Sequence, residues 1–436
     1  MLDSKDKCMP KKKTFISRSK DSDNTYQFVD TARRPVVFPK GFLWGAATSA
    51  HQVEGNNINS DWWEWEPGHV KDNEVSGVAC DHYNRYEQDF DLIQKMNHTA
   101  HRLSIEWARI EPEEGVWNYE AVEHYHHVFR ALKERNIKIM LTLHHFTNPA
   151  WLNRKGGWEK KHTAEYFARY VSFVAEQYKN VVDFWVTLNE PMVYVAESFI
   201  FGKRPPQKSS VWSAWRAYQT FALAHRKAYK IIHRIDANAQ VGLAHNVSSY
   251  HAYRKHSWGD QLFEMMMDRI TNHAFLKKSK YHDFYGLNYY FHIRIRHVNF
   301  FQTLKGFDIF EPVLRERRET SDIGWEIYPH GMFNMLMDFA DSKKPIYITE
   351  NGIAAQDDTH RQKFIREYLQ EIYHAIQGGA DVRGYFYWSL LDNFEWEAGF
   401  GPRFGLVHVD YKTQKRTLKP SALMYADISK RNGLEV

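Results

Sequence analysis

Eight short apolar runs rich in β-forming residues punctuate this 436-residue chain, separated by longer amphipathic stretches, and few folds accept that rhythm. The runs fall at residues 43–48, 101–105, 137–143, 184–188, 241–244, 284–287, 345–349 and 384–388. Between them, residues 83–96, 121–134, 164–178, 212–235, 261–276, 331–342 and 363–377 carry the spacing of helices with one buried face. Eight strands alternating with helices is the count of a closed (β/α)8 barrel, an α/β fold that holds more than 250 residues in one domain. An open doubly wound sheet would place a glycine-rich phosphate turn after its first strand, and GFLWGAATSAHQ has none. The sequence therefore predicts one TIM barrel over residues 37–436. A charged, aperiodic extension over residues 1–36 is expected to be flexible and disordered.

The composition closes other routes. The charge balance is 58 basic against 53 acidic residues, and the first 37 residues hold nine basic and five acidic, leaving the remainder at net +1. Outside the tail no basic face that would follow phosphates is visible in the sequence, so no nucleic-acid partner is expected. No run approaches the length of a membrane span, and the N-terminus lacks the apolar core of a secretory signal. Two cysteines, Cys8 and Cys80, make a disulfide framework improbable and favour a reducing, cytoplasmic setting. The glycosylation sequons at Asn97 and Asn246 are then expected to carry no sugar.

In a barrel of this kind, chemistry gathers on the loops after the strands. The stations behind the successive runs hold Gln52, then Glu106 and Trp107, His144 and His145, Asn189 and Glu190, His245 and Asn246, Asn288 to Tyr290, Glu350 and Asn351, and Trp388. Polar and aromatic groups recur at nearly every station, a pattern that a purely structural barrel does not need. The richness in rings (15 Trp, 25 Tyr, 28 Phe) points to the same cleft. Two stations carry glutamates, VTLNEP after the fourth run and YITENG after the seventh. Glu190 and Glu350 should therefore face each other across the mouth. Paired carboxylates flanking one bond are what glycoside hydrolysis requires.

The segments FPKGFLWGAATSAHQVEG, HRLSIEWARIEPEEG, LTLHHFTNPAWL, FWVTLNEP, FYGLNYY, IYITENGIA and YFYWSLLDNFEWEAGFGPRFGLVHVDY resemble, in order, those of family 1 glycoside hydrolases, the β-glucosidase and β-galactosidase type. The resemblance runs from about Phe38 to the C-terminus. It implies that Glu190 is the general acid/base and Glu350 the nucleophile. It further implies that Arg102, Asn288 and Tyr290 support the nucleophile, and that Gln52, His145, Asn189, Trp388, Glu395 and Trp396 hold the non-reducing sugar. The implied activity is retaining hydrolysis of terminal β-linked glucose, galactose or fucose from a small β-glycoside or oligosaccharide. Transfer to an acceptor other than water can share the same intermediate, and carboxylates about 5–5.5 Å apart are expected. The family pattern implies no cofactor, and no metal-ligand spacing occurs; the triplet His124, His126 and His127 fits a solvated helix better. Glu395 in DNFEWEAGF should disfavour a 6-phosphorylated sugar by like charge.

One departure stands out. Between Asn246 and Phe284 the chain is roughly thirty residues shorter than is usual in that family. The barrel wall between the fifth and sixth units is expected to be thin, mobile or covered by a partner. The alternative reading is a sugar-binding barrel left weak or inactive by this shortening. Met265 to Met267, in the helix that remains, are expected to fill core.

Overall fold

The structure, a computed structural model, describes residues 36–296 and 318–435. Its centre is a closed barrel of parallel strands. In chain order these are β1 (Leu43–Ala47), β2 (Ala100–Ser104), β3 (Lys138–Thr142), β4 (Phe184–Asn189), β5 (Val241–Ala252), β6 (Tyr285–Ile295), β7 (Ile346–Asn351) and β8 (Val382–Trp388). Closure runs through β1 and β8, paired from Leu43 with Gly384 to Ala47 with Trp388.

A ring of helices covers the strands. These are α1 (His82–Lys95), α2 (Tyr119–Glu134), α3 (Thr163–Tyr178), α4 (Val211–Ile235), α5 (Trp258–Asp268), α6 (Ala274–Ser279), α7 (Pro329–Ala340), α8 (Asp358–Gln377) and α9 (Pro420–Arg431). A π-helical turn, Arg269–His273, joins α5 to α6, so the two act as one crossover. Ser210 and Ser257 start α4 and α5 by accepting backbone N–H groups three residues on.

Two apolar layers result. Leu43, Ala47, Ala100, Met140, Val186, Ala244, Phe386 and Trp388 pack in one cluster inside the barrel. The larger cluster lies between the strands and the helices, with Trp44, Trp185, Leu243 and Ile348 meeting side chains such as Phe129, Phe167 and Leu369. At ~25 cal/mol per Å² this double layer is the main source of stability.

The strand and helix assignments made from sequence hold, with their ends moved by a few residues. Four expectations need correction. The β5–β6 pair is far longer than the runs imply, laddered from Ala244–Gly286 to Ala252–Ile295 with one register shift. The wall between the fifth and sixth units is not thin, because α5 and α6 fill the ring there. Met265 is 56% exposed and Met266 also faces outward, because the apolar stripe of α5 is wider than the barrel can cover. His124 is likewise not simply solvated; its half-buried ring stacks on Tyr83 at 3.6 Å. The expected extension lies outside the described residues up to position 35. Val36 and Val37 already pair antiparallel with Gly433 and Leu434.

Candidate active site

Strand ends set the positions of the two glutamates. β4 runs to Asn189, and Glu190 follows it as the residue before α-helical Pro191, with φ 45° and ψ 54°. A left-handed backbone is uncommon for glutamate and marks a site where the fold imposes geometry on a side chain. Trp396 (φ 54°) and Phe146 (φ 70°), both beside the same cleft, share that conformation. Glu350 lies within β7. The glycine that follows Asn351 is dictated by space, since a Cβ on Gly352 would sit 1.8 Å from the carbonyl oxygen of Trp388.

Both carboxylates are buried and hang on one polar network. Arg102, from β2, donates through Nη1 to Glu350 Oε1 and through Nη2 to Asn189 Oδ1 at 2.7 Å. The Tyr290 hydroxyl donates to Glu350 Oε2 at 2.9 Å. Asn288 Nδ2 donates to Asn189 Oδ1 at 3.1 Å and to Glu190 Oε1 at 2.9 Å. Each end of the network is thus a carboxylate, and Arg102, Asn189 and Asn288 join them.

The electrostatics separate the two ends. Burial, and then the charge of Glu350, push Glu190 up to about 7, against opposing hydrogen bonds from Asn288 and Asn246. Tyr290 is held well above its ordinary value by burial and Glu350, so it remains a donor. Burial, with Arg102 next, drives His145 well below the usual histidine range and keeps its ring neutral. Asn189 Oδ1 already accepts two donors, so its Nδ2 faces His145 Nε2, 3.2 Å away, and the imidazole proton resides on Nδ1.

The remaining candidates form the second wall. Gln52 Nε2 donates to Asn393 Oδ1 and the Phe394 carbonyl, both at 2.9 Å, and to Glu395 Oε2 at 3.3 Å. Trp388 stacks on His145 at 5.8 Å between centroids, and Trp396 stacks on the same ring at 6.1 Å. Burial and the nearby Glu350 push Glu395 up to about 8, so this carboxyl carries its proton at neutral pH and does not supply the like charge expected to disfavour a 6-phosphorylated sugar. All the candidates read from the sequence therefore converge on one cleft. Other stations do not join it: Glu106 accepts from Thr147 and from the Ala108 N–H, and His245 bonds the Thr271 carbonyl.

Sequence reasoning gave no role to three contributors. Asn246, named at the station behind the fifth run and as a sequon, donates to Glu190 Oε1 at 3.3 Å. Thr349 donates to Asn288 Oδ1 at 2.6 Å and fixes that amide's orientation. Arg204 clamps Glu397 through two bonds of 2.9 and 3.0 Å and lies over the rings of Phe146 and Trp396. It comes from a loop with no pattern to flag it.

Two buried carboxylates in unlike environments, within an amide and aromatic cleft at the mouth of a (β/α)8 barrel, define the glycoside-cleaving class of this fold. Comparison with known proteins narrows the class. The profile of Glycosyl hydrolase family 1 matches residues 35–280 and 249–434, and the chain belongs to that family. The two matches overlap across the β5–β6 connection. Beta-glucosidase A of Thermotoga maritima is 33% identical over 452 aligned positions, covering 91% of this chain and 99% of that protein. A beta-galactosidase of Pyrococcus woesei is 29% identical, covering 91% and 98%. Among solved structures, a beta-glycosidase from Pyrococcus horikoshii superposes with a TM-score of 0.85 at 36% identity, covering 92% of this chain and 97% of that one. The Thermotoga maritima beta-glucosidase in complex with glucoimidazole superposes at 0.85 and 31%, covering 92% and 100%.

Proposed function

We propose that this protein is a retaining β-glycosidase of the β-glucosidase type, with Glu190 as acid/base and Glu350 as nucleophile. The observation that supports these roles best is the asymmetry of the pair: Glu190 is raised to about 7 by burial and by Glu350, while Glu350 accepts from Arg102 and Tyr290. In the first step a Glu350 oxygen forms a bond to the anomeric carbon as the glycosidic C–O bond breaks, and the Glu190 proton passes to the departing oxygen. Esterified Glu350 no longer carries charge, so Glu190 becomes a weaker proton holder and accepts the proton of an incoming water. The water oxygen bonds to the anomeric carbon, the ester C–O bond breaks, and both carboxyls are restored. Two inversions give net retention and require the carboxyls about 5–5.5 Å apart.

Gln52, His145, Asn189, Glu395, Trp388 and Trp396 are the sugar-binding set in this proposal. A protonated Glu395 in the free protein can donate one hydrogen bond to a hydroxyl and accept another, as binding to neighbouring hydroxyls needs. Arg102, Asn288 and Tyr290 position the carboxyls. The substrate is a small β-glycoside or oligosaccharide, with glucose, galactose and fucose all accessible. Among the described residues no helix is long and apolar enough to cross a membrane; a cytoplasmic setting rests on the sparse cysteines and the buried free thiol of Cys80. A panel of nitrophenyl β-glucoside, β-galactoside, β-fucoside and 6-phospho-β-glucoside tests the proposal. Turnover of the unphosphorylated substrates that collapses in Glu350→Gln supports it, and no turnover by folded protein would overturn it.

A further inference from the structure

On the outside of the barrel, α3, α4 and the end of α6 with the turn after it enclose an open groove of about 760 Å³. Its lining is unlike the rest of the surface: six cationic side chains and a single carboxylate, Glu165. Arg226, Lys230 and Arg234 follow one another at four-residue intervals and so stand on one face of α4. Lys278, in the last turn of α6, and Lys280, just beyond it, line the same groove. The sequence hides this convergence, because acids such as Asp236, Glu264 and Asp268 lie between these positions yet do not line the groove.

Little inside the fold neutralises these charges. Lys227 pairs with Glu165 at 2.9 Å. Among the described residues, no carboxylate ion pair is found for Arg226, Lys230, Arg234, Lys278 or Lys280. Arg226 instead donates to the Lys278 carbonyl at 2.9 Å, tying the turn to the helix, and the Lys230 ammonium lies 5.4 Å from the centre of the Tyr281 ring. Helix C-termini attract cations, which accounts for Arg234 and Lys278 in the last turns of α4 and α6. It does not account for Arg226 and Lys230 in mid-helix, or for Lys280. Uncompensated like charges repel and persist more readily where an anion binds between them.

We propose that this groove is a binding site for a small polyanion of phosphate chemistry, carrying two or more phosphoryl groups. The body beyond residue 37 carries net +1, of which the groove alone supplies +5, so everything else there is net −4. A local basic concavity in an otherwise acidic body suits a compact ligand and lacks the continuing basic track that nucleic acid follows. The Tyr281 ring with Leu223 and Ile231 gives an apolar floor for the uncharged part of such a molecule.

The test is calorimetric titration of the full chain with inorganic pyrophosphate and with ADP at constant ionic strength, sulfate serving as the control. The comparison protein is the triple variant Lys230→Gln, Lys278→Gln, Lys280→Gln, whose exposed side chains carry no core packing. Expected are saturable binding of pyrophosphate by the wild type and at least tenfold weaker binding by the variant, with glycosidase turnover equal in both. ADP binding more than tenfold tighter than pyrophosphate supports the site and identifies a nucleotide; equal affinities support it and identify a free phosphate compound. Equal titrations of wild type and variant, or sulfate matching pyrophosphate, would overturn the proposal. So would tight, steeply salt-dependent binding of a DNA duplex by protein that ignores pyrophosphate.

Discussion

The mouth of the barrel and its outer wall between β5 and β6 use neighbouring parts of the chain but obey different rules. At the mouth, Asn246 of β5 and Asn288 of β6 both donate to Glu190 Oε1, and Asn288 is completely buried. Their partners are defined, because leaving a buried amide unpaired costs about 1–3 kcal/mol. On the wall, α5 and the π-helical turn after it present Trp258 at 78% exposed, with Leu262, Met265 and Ile270 about half exposed. Chemistry dictates residue type at the mouth. At the wall residue type is set by what packs there, so the same helical periodicity that predicts burial elsewhere fails.

The largest contrast comes from exchanging one residue in each region. Glu350→Gln should lower kcat/KM by about 10⁴-fold or more, since it removes the attacking group, whereas Leu262→Glu with Met265→Glu should leave kcat/KM within about twofold. Steady-state kinetics on nitrophenyl β-glucoside check both; a large loss in the wall variant would break the contrast.

A second test sharpens it inside the mouth. Hydrogen bonds from Asn288 and Asn246 favour the ionised form of Glu190, so removing either should raise its pKa further. Wild-type kcat/KM should fall as pH rises through about 7, where Glu190 loses its proton. Asn288→Ala should cost about 10²-fold in kcat/KM and move this basic limb upward. Asn246→Ala, lacking the longer of the two bonds, should move it the same way by less. A downward shift in either pH–rate profile would contradict the assignment of Glu190.

The smallest effect is on stability. Glu190 and Glu395 have folded pKa values raised from 4.5 to about 7 and about 8. Each therefore contributes stability that is fully present below about pH 4.5 and is lost as pH rises through the folded value, ~3 kcal/mol for Glu190. Glu395→Gln should raise Tm at pH 8.5 by a few degrees while changing it little at pH 4.5. Scanning calorimetry at the two pH values would show an unchanged difference if burial did not strain this carboxyl.

Legibility followed the same division. The strands were readable because each is a short apolar run, and the mouth residues because each lies just beyond one, so Glu190, Glu350 and their neighbours fell out of position and type together. Arg204 was invisible, since its meaning lies in a partner 193 residues away, Glu397. The long β5–β6 ladder was hidden because residues 245–252 and 288–295 mix histidine, asparagine, serine and arginine with aromatics, and only their mutual pairing makes them strand. The basic groove was masked by acids that are adjacent in sequence and turned away in space.

The central claim is that Glu350 and Glu190 act in turn on the same anomeric carbon. Proton NMR of the sugar first released from nitrophenyl β-glucoside, recorded before mutarotation, tests it most directly. The β-anomer should appear first and the α-anomer only later, by mutarotation. Initial release of the α-anomer would mean a single displacement by water and would contradict the account.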